Sequence, residues 1–376
     1  MHVSKLFDAT STPLSSIFGS GFLIIVPILA GAVGSRSVVA MAAVCLLAYA
    51  VGGVIRFNIR HVEPVLASTP SEATLSFERS SDLALVLAYV ISVCLYLHIL
   101  SAFVLGGLHA DTDLNENLMT TAVIAAITTI GTTKGLKALD VLEEWGIYVT
   151  LLIILLLLLG FARYDWTAWQ SPSGIMLVAP LQHTPWQVLT IVAGTLIVVQ
   201  GFETPRYLGE VFDADTRVRA SRWSQIISTG VYLLFVALAL PVVHTLGGTY
   251  DDNSLIALVG VAAALLVAPL IVAAALSQFS AAVADTLAAT GNLEETTHGH
   301  LKARWAYIFV GGGAIALTWS ADTLEIVALA SRAFAFYYLL QCLVAISVSQ
   351  SLIQRAGVAI VALALGFITV FAVPAS

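Results

Sequence analysis

The sequence predicts an all-α, polytopic membrane protein with about eleven transmembrane helices, of which the first and the sixth are discontinuous. Three observations carry that prediction. Hydrophobic residues make up 59% of the 376 residues and charged residues only 10%, against roughly 25% charged in a soluble domain. Apolar runs of about 20 residues, enough to cross a hydrocarbon core, recur along the whole chain. Glycines and polar residues interrupt two of those runs at mid-depth, where an unpaired backbone group costs several kcal/mol.

The first run, 14–33, contains Ser15-Ser16-Ile17-Phe18-Gly19-Ser20-Gly21. Two glycines and three serines stand where a spanning helix should be continuous, and such a break survives only where something polar satisfies it. The residues before it, Met1 to Ser11, lack a short apolar core with a small-residue cleavage site, so the first span serves as the insertion signal. The next runs are 37–55 and 83–106, and the loop between them, Arg56 to Ser81, is long enough for a short helix lying along the membrane surface. Runs 117–133 and 144–162 follow. In run 186–208 the apolar stretch Trp186 to Val199 is too short to cross alone. The helix must continue through Gln200-Gly201-Phe202-Glu203-Thr204-Pro205, which makes this the second broken span. After run 223–246, the stretch Ser254 to Ala289 would be roughly 54 Å long as one helix, nearly twice the core thickness. It therefore divides near Leu265 into an external or re-entrant helix and a span, 264–289. Runs 304–320, 323–349 and 356–374 complete the chain.

Lys and Arg concentrate on cytoplasmic loops of membrane proteins, which tests the count. With the N-terminus in the cytoplasm, all 16 Lys and Arg except Arg36, Arg163 and the intraspan Arg332 fall on the inner side. The loops His109 to Glu116 and Thr249 to Asn253 carry acids and no Lys or Arg. The chain is thus expected to sit in the cell (plasma or inner) membrane with its N-terminus cytoplasmic and its C-terminus external. No hydrophilic segment is long enough for a soluble nucleotide-binding or sensor domain, and phosphate-loop, HExxH and serine-elbow motifs are absent. That argues against an enzyme and against ATP-driven pumping by this chain alone. No cofactor, resident metal or nucleic-acid partner is expected, and the oligomeric state is left open. Cys45, Cys94 and Cys342 lie in apolar runs without CxxC or His pairing and read as packing residues.

The two broken spans are five spans apart, an odd number, so the halves containing them have opposite topology. Paired discontinuous helices in corresponding positions of inverted halves are a pointer to a secondary-transporter binding site. Half-helix N-termini there offer N–H groups to an anion, and half-helix C-termini offer carbonyls to a cation.

Gly19-Ser20-Gly21, followed by Phe22-Leu23-Ile24-Ile25-Val26-Pro27, resembles the first-helix GSG motif of the amino acid-polyamine-organocation (APC) superfamily. Gly201-Phe202-Glu203, with Gly209-Glu210-Val211 and the basic run Arg217 to Arg222, resembles that superfamily's sixth helix and following loop. The resemblance implies a LeuT-like 5+5 inverted repeat: residues 1–163 as the first repeat, 164–350 as the second, and 351–376 as an additional span. It further implies that N–H groups at Ser20 and Gly21 receive a substrate carboxylate. Carbonyls at Ile17, Ile197 and Gln200 would receive its ammonium, with Gly19, Gly201 and Phe202 shaping the site. The Gln200 side chain stands where the family often has an apolar residue. Glu203 matches a family acid linked either to proton coupling or to bracing the broken helix.

Other groups at membrane depth are weighed from their placement. Tyr96 and His98 lie in the third span, which lines the site in this fold; His98 reads as a core histidine or as a ligand and proton carrier. In the eighth span Ser277, Gln278, Ser280 and Asp285 form a polar streak. Ser277 and Ser280 could complete a sodium site with carbonyls near Ser15 and Phe18, although the paired hydroxyls typical of that site are missing. Asp285 lies near the cytoplasmic end and reads as solvated. Arg332 needs a partner such as Glu325, a water-filled cavity, or room to snorkel.

The function expected is secondary active transport of an amino acid or related small amine by alternating access, within a lipid bilayer, with H+ ahead of Na+ as coupling ion. Sodium-coupled transport or transport of an inorganic cation in the same fold remains the alternative, with a non-transporting membrane solute sensor behind it.

Overall fold

The computed structural model describes residues 2–19, 21–136, 140–172, 174–179, 182–297 and 300–375. Among these the secondary structure is helical, with no strand. Helices α1 (His2–Ile17) and α2 (Gly21–Val33) share the first apolar run, which begins twelve residues earlier than hydropathy alone suggests. Helix α3 (Ser37–Phe57) passes through a π-helical turn, Asn58–Val62, into the short α4 (Glu63–Leu66). Next come α5 (Glu72–Gly107), α6 (Asp113–Lys134), α7 (Asp140–Gln170) and α8 (Pro185–Ala193), the last followed by 3₁₀ turns at Leu196–Val199 and Thr204–Leu208. Helix α9 (Ala214–Ala239) ends in a 3₁₀ segment, Leu240–Leu246. The long apolar stretch divides at Ala264–Leu266 into α10 (Ser254–Ala263) and α11 (Val267–Thr296). Helices α12 (Ala303–Thr318), α13 (Thr323–Val348) and α14 (Leu352–Phe371) finish the fold.

Eight helical runs among the described residues are long and apolar enough to cross a membrane, and one of them, Gly21–Leu66, takes in both α2 and α3. Helices α6 and α12 occupy the fourth and ninth expected spans but fall outside those eight; α12 has only 16 residues.

Helix starts follow from local chemistry. The hydroxyls of Ser71, Thr112 and Thr184 and the carboxylate of Asp213 accept from backbone N–H groups three residues on, which supplies the orphan donors of α5, α6, α8 and α9. Thr184 with Gln187, and Asp322 with Glu325, close reciprocal capping boxes.

Packing inverts the pattern of a soluble protein. Large apolar side chains such as Leu46, Leu265 and Leu363 are exposed, as a lipid-facing surface requires, while Asn58, Glu203, Gln278, Ser331 and Gln341 are buried. Helix α5 runs through the centre, packed along α11 and α13. Buried amides tie these elements together: Asn58 Nδ2 donates to Gln341 Oε1 at 2.8 Å, and Gln341 Nε2 donates to Ser81 Oγ at 2.6 Å. At the Lys/Arg-rich end, Arg206 pairs with Glu78 at 2.5 Å and Arg217 with Glu63 at 2.6 Å.

Arg332 does not pair with Glu325. It is exposed, and its Nε donates to the Thr369 carbonyl on α14 at 2.9 Å, while Glu325 serves its own helix cap. The three cysteines are free and buried.

Candidate functional site

Helix α1 stops at Ile17 and α2 starts at Gly21; between them Phe18 N–H donates to Leu14 O and Gly19 N–H to Ser16 O. Ser20 lies outside the described residues. In the sixth span Gln200 is extended, with φ −71° and ψ 157°, and Gly201 takes φ +122°, which only glycine adopts without strain. Each break is seated against the other through its glycine. A Cβ on Gly201 would lie 2.5 Å from Ser16 Oγ and 2.8 Å from Ile17 N, and one on Gly21 would lie 2.1 Å from Val198 O.

The carbonyls freed by the breaks are held by distant side chains. The Tyr232 hydroxyl on α9 lies 2.8 Å from Ile17 O and 2.9 Å from Val198 O, so one proton serves the C-terminal carbonyls of both half-helices. Gln278 Nε2 on α11 donates to Gly19 O, and Ser277 Oγ approaches the same carbonyl at 3.4 Å. Ile197 O accepts from Gln200 N–H at 3.1 Å, and Ile197 N–H donates to Ser331 Oγ at 3.0 Å. Ile17 and Ile197 therefore meet protein partners at the atoms expected to receive a ligand.

Gln200 and Phe202 have structural roles here. Gln200 Nε2 donates to Glu203 Oε1, and Glu203 Oε2 accepts from Gly201 N–H at 3.0 Å and Tyr338 OH at 2.8 Å. Glu203 is fully buried within this cage. The Phe202 ring stacks on Tyr338 at 5.3 Å between centroids, buried rather than facing a cavity. Gln200 completes the donor set around Glu203.

A cavity of about 590 Å³ begins beside the first break, at Ser15 and Ser16, and extends past Tyr96, Ser277, Ser280 and Asp285 to Glu295. Its described lining carries many hydroxyls, two acids and no Lys, Arg or His. Ser15, Tyr96, Ser277 and Ser280 thus share one wall. The Phe18 side chain is fully buried against the Tyr232 ring. Asp285, which the sequence marked as solvated, lines this cavity together with Tyr89 and accepts a hydrogen bond from Ser92. The signal for Asp285 was its position eight residues beyond Ser277, about two turns along α11.

His98 is not part of that wall. It lines a second cavity, of about 630 Å³, among the acidic loops. The reason is helical geometry: two residues turn about 200°, so α5 presents Tyr96 to one cavity and His98 to the other. The described lining of the second cavity includes Asp111, Asp113, Glu116, Asp251, Asp252, Asp322 and Glu325 and no Lys or Arg. Burial, together with the negative charges of Asp252, Asp111 and Asp113, pushes the Glu116 carboxyl up to about 7. Burial also raises that of Asp252, against a hydrogen bond from Thr323. Among the described residues no three His, Cys, Asp or Glu side chains converge closely enough to hold a metal ion.

These features match known transporters. Residues 1–373 match a family described as an APC superfamily transporter. An uncharacterized protein of Aquifex aeolicus (strain VF5) is 36% identical over 350 residues, covering 92% of this chain and 84% of that protein. Crystal structures of two mutants of the Eremococcus coleocola manganese transporter align over 98% of this chain and 86% of theirs. Their TM-scores are 0.58 and 0.55 at 13% and 11% identity, a likeness of fold. Two broken helices seated glycine against backbone, within a bundle that shares its fold with membrane transporters and a sequence that matches one family from end to end, place this chain in the APC transporter superfamily.

Proposed function

We propose that the chain is a proton-coupled secondary transporter of an amino acid or related small amine, built as a LeuT-like inverted repeat of residues 1–163 and 164–350 with 351–376 added. The observation that carries this reading is the pair of broken spans held against each other by Tyr232, above a cavity lined with hydroxyls and acids. Tyr232 presents an O–H donor to carbonyls at the ends of both half-helices, the position an ammonium group would take. Displacing that hydroxyl lets a solute bridge the two breaks, and the negative wall at Asp285 suits the amine's charge on its way in or out. The charge asymmetry of the loops supports a cytoplasmic opening at the Glu295 end of this cavity. Alternating access then moves the broken spans against the α5 scaffold.

Glu203 supplies the proton step in this reading. Its carboxylate accepts from Gln200, Gly201 and Tyr338, so adding a proton turns an accepting oxygen into a donor facing other donors. The cage must loosen, and the sixth break loosens with it.

A second reading, inorganic cation transport, is favoured by the printed identity of the solved neighbours as manganese transporters. It would use Asp285 and the hydroxyl oxygens of the same cavity. Its oxygen donors suit manganese as well as an ammonium group, so the flux measurement below separates the two readings.

Counterflow of labelled amino acids and amines into proteoliposomes, with and without a pH gradient, tests the proposal. Saturable amine or zwitterion exchange, accumulated by a proton gradient, is the expected result. Saturable Mn2+ flux with no exchange of either organic class overturns it. Glu203→Gln should retain exchange and lose gradient-driven accumulation; unchanged accumulation removes Glu203 from coupling and leaves it a brace.

A further inference from the structure

Three loop regions and the helix starts that follow them bring seven carboxylates around one cavity. Asp111 comes from the α5–α6 connection and Asp113 and Glu116 from the first turn of α6, Asp251 and Asp252 from the segment before α10, and Asp322 and Glu325 from the start of α13. Like charges gathered in a recess repel one another, and without a counter-charge the arrangement costs folding free energy. Among the described residues no Lys or Arg lines it to offset that cost. Local duties occupy only part of the set: Asp322 and Glu325 cap α13, and Asp111 accepts from Asn253 at 2.8 Å.

Two further features point to a ligand. His98 is only 2% exposed yet lines the cavity, and its Nε2 has no hydrogen-bond partner. A buried imidazole nitrogen left unpaired is costly, so a donor arriving from the cavity is favoured. Trp319 also lines the cavity; its Nε1 is tied to Thr121 Oγ1 at 3.1 Å, and half of the residue remains exposed. An indole beside carboxylates attracts ammonium groups through its π face. The absence of a converging three-ligand set among the described residues speaks against a bare metal ion.

We infer that this second cavity is a capture site for a small organic cation bearing ammonium groups. The carboxylates of these three regions hold its charge, Trp319 covers its methylene chain, and His98 accepts one N–H at the floor. The loop charges that assign the acidic end to the outside make it an external site. The inference does not depend on which solute occupies the Asp285 cavity.

The test uses the full chain in lipid nanodiscs, with radiolabelled 1,4-diaminobutane as probe and Ca2+ and Mn2+ as competitors. The expected result is saturable binding that weakens with added salt. The double variant Glu116→Gln/Asp252→Asn should weaken it about tenfold or more, and Trp319→Leu should do so several-fold. His98→Leu should lower affinity without changing the salt dependence, because it removes an acceptor and no carboxylate. A thermal shift induced by the diamine in wild type, and lost in the double variant, reads the same site independently of the label.

Unchanged affinity in the double variant overturns the inference, as does absence of saturable binding. Displacement of the diamine by equal concentrations of Ca2+ or Mn2+ also overturns it and reassigns the cavity to a metal. Asp285→Asn separates this result from the transport proposal: external binding that survives this change while counterflow is lost locates the two events in different cavities.

Discussion

Gly21→Ala puts a single methyl group where the two broken spans meet. Its Cβ would lie 2.1 Å from Val198 O, 2.3 Å from the Tyr232 hydroxyl and 2.7 Å from Val198 Cγ1. Two of these neighbours cannot rotate away cheaply, because one is backbone and the other is held between two carbonyls. The breaks must part by about 1 Å to restore ordinary contact, in an interior packed as densely as a crystal. Overpacking of that kind costs about 1–3 kcal/mol. Parting also stretches the Tyr232 hydrogen bonds to Ile17 O and Val198 O, each worth about 0.5–1.5 kcal/mol. The expected loss is about 2–4 kcal/mol. Gly230 on α9 is the matched control, since it is exposed and nothing lies within 4 Å of its Cβ position. Alanine there should be neutral or stabilise by up to about 1 kcal/mol, because a helix interior favours alanine over glycine. Thermal unfolding of both variants in the same lipid and detergent, followed by intrinsic fluorescence, provides the comparison. A Gly21→Ala protein that melts at or above the wild-type temperature would refute the mutual seating of the two breaks.

Removing the Tyr232 hydroxyl as Tyr232→Phe should cost about 1–2 kcal/mol of thermal stability by leaving the Ile17 and Val198 carbonyls unserved; an unchanged melting temperature would show that other donors reach them. Glu78→Gln should destabilise by about 3–5 kcal/mol, since it strands the buried Arg206 guanidinium, and adding Arg206→Leu should recover much of that loss in a double-mutant cycle. The acidic cavity should make stability pH-dependent. Glu116 is raised from 4.5 to about 7 in the folded chain by burial and by Asp252, Asp111 and Asp113. The folded chain therefore binds an extra proton across that window, and stability falls as pH rises through it. Asp252 acts in the same direction. Melting temperature should be higher at pH 5 than at pH 8, and Glu116→Gln should flatten the difference; a profile rising toward pH 8 would contradict this.

Much of the helical framework was legible because the bilayer is an exacting solvent. Segment lengths, turn positions and the split near Leu265 follow from hydrocarbon thickness and from the rule that backbone groups be satisfied inside it. The breaks at Gly19 to Gly21 and at Gly201 were legible for the same reason, since glycine and polar residues at mid-depth are too costly to be idle. Side-chain direction was less legible. Tyr96 and His98 are two residues apart and looked like one site, yet they face different cavities. Asp285 looked solvated because its sequence position is near a span end, although the first cavity reaches it. Arg332 had a carboxylate partner, a water-filled cavity and snorkelling open to it, and the structure shows it exposed, donating to a backbone carbonyl of α14.

By itself the sequence indicated which segments are apolar enough to cross, where glycine and polar residues interrupt them, and which loops collect positive charge. These are local quantities, set by composition and by the cost of unpaired amides in lipid. Tertiary structure decided what satisfies the interruptions: Tyr232 for Ile17 and Val198, Gln278 for Gly19, and the Gln200–Gly201–Tyr338 cage for Glu203. Those partners come largely from other helices, up to 259 positions away for Gln278 and Gly19. Hydrogen-bond donors at such separations meet only when packing has fixed the rotation of every helix between them, which no local pattern encodes.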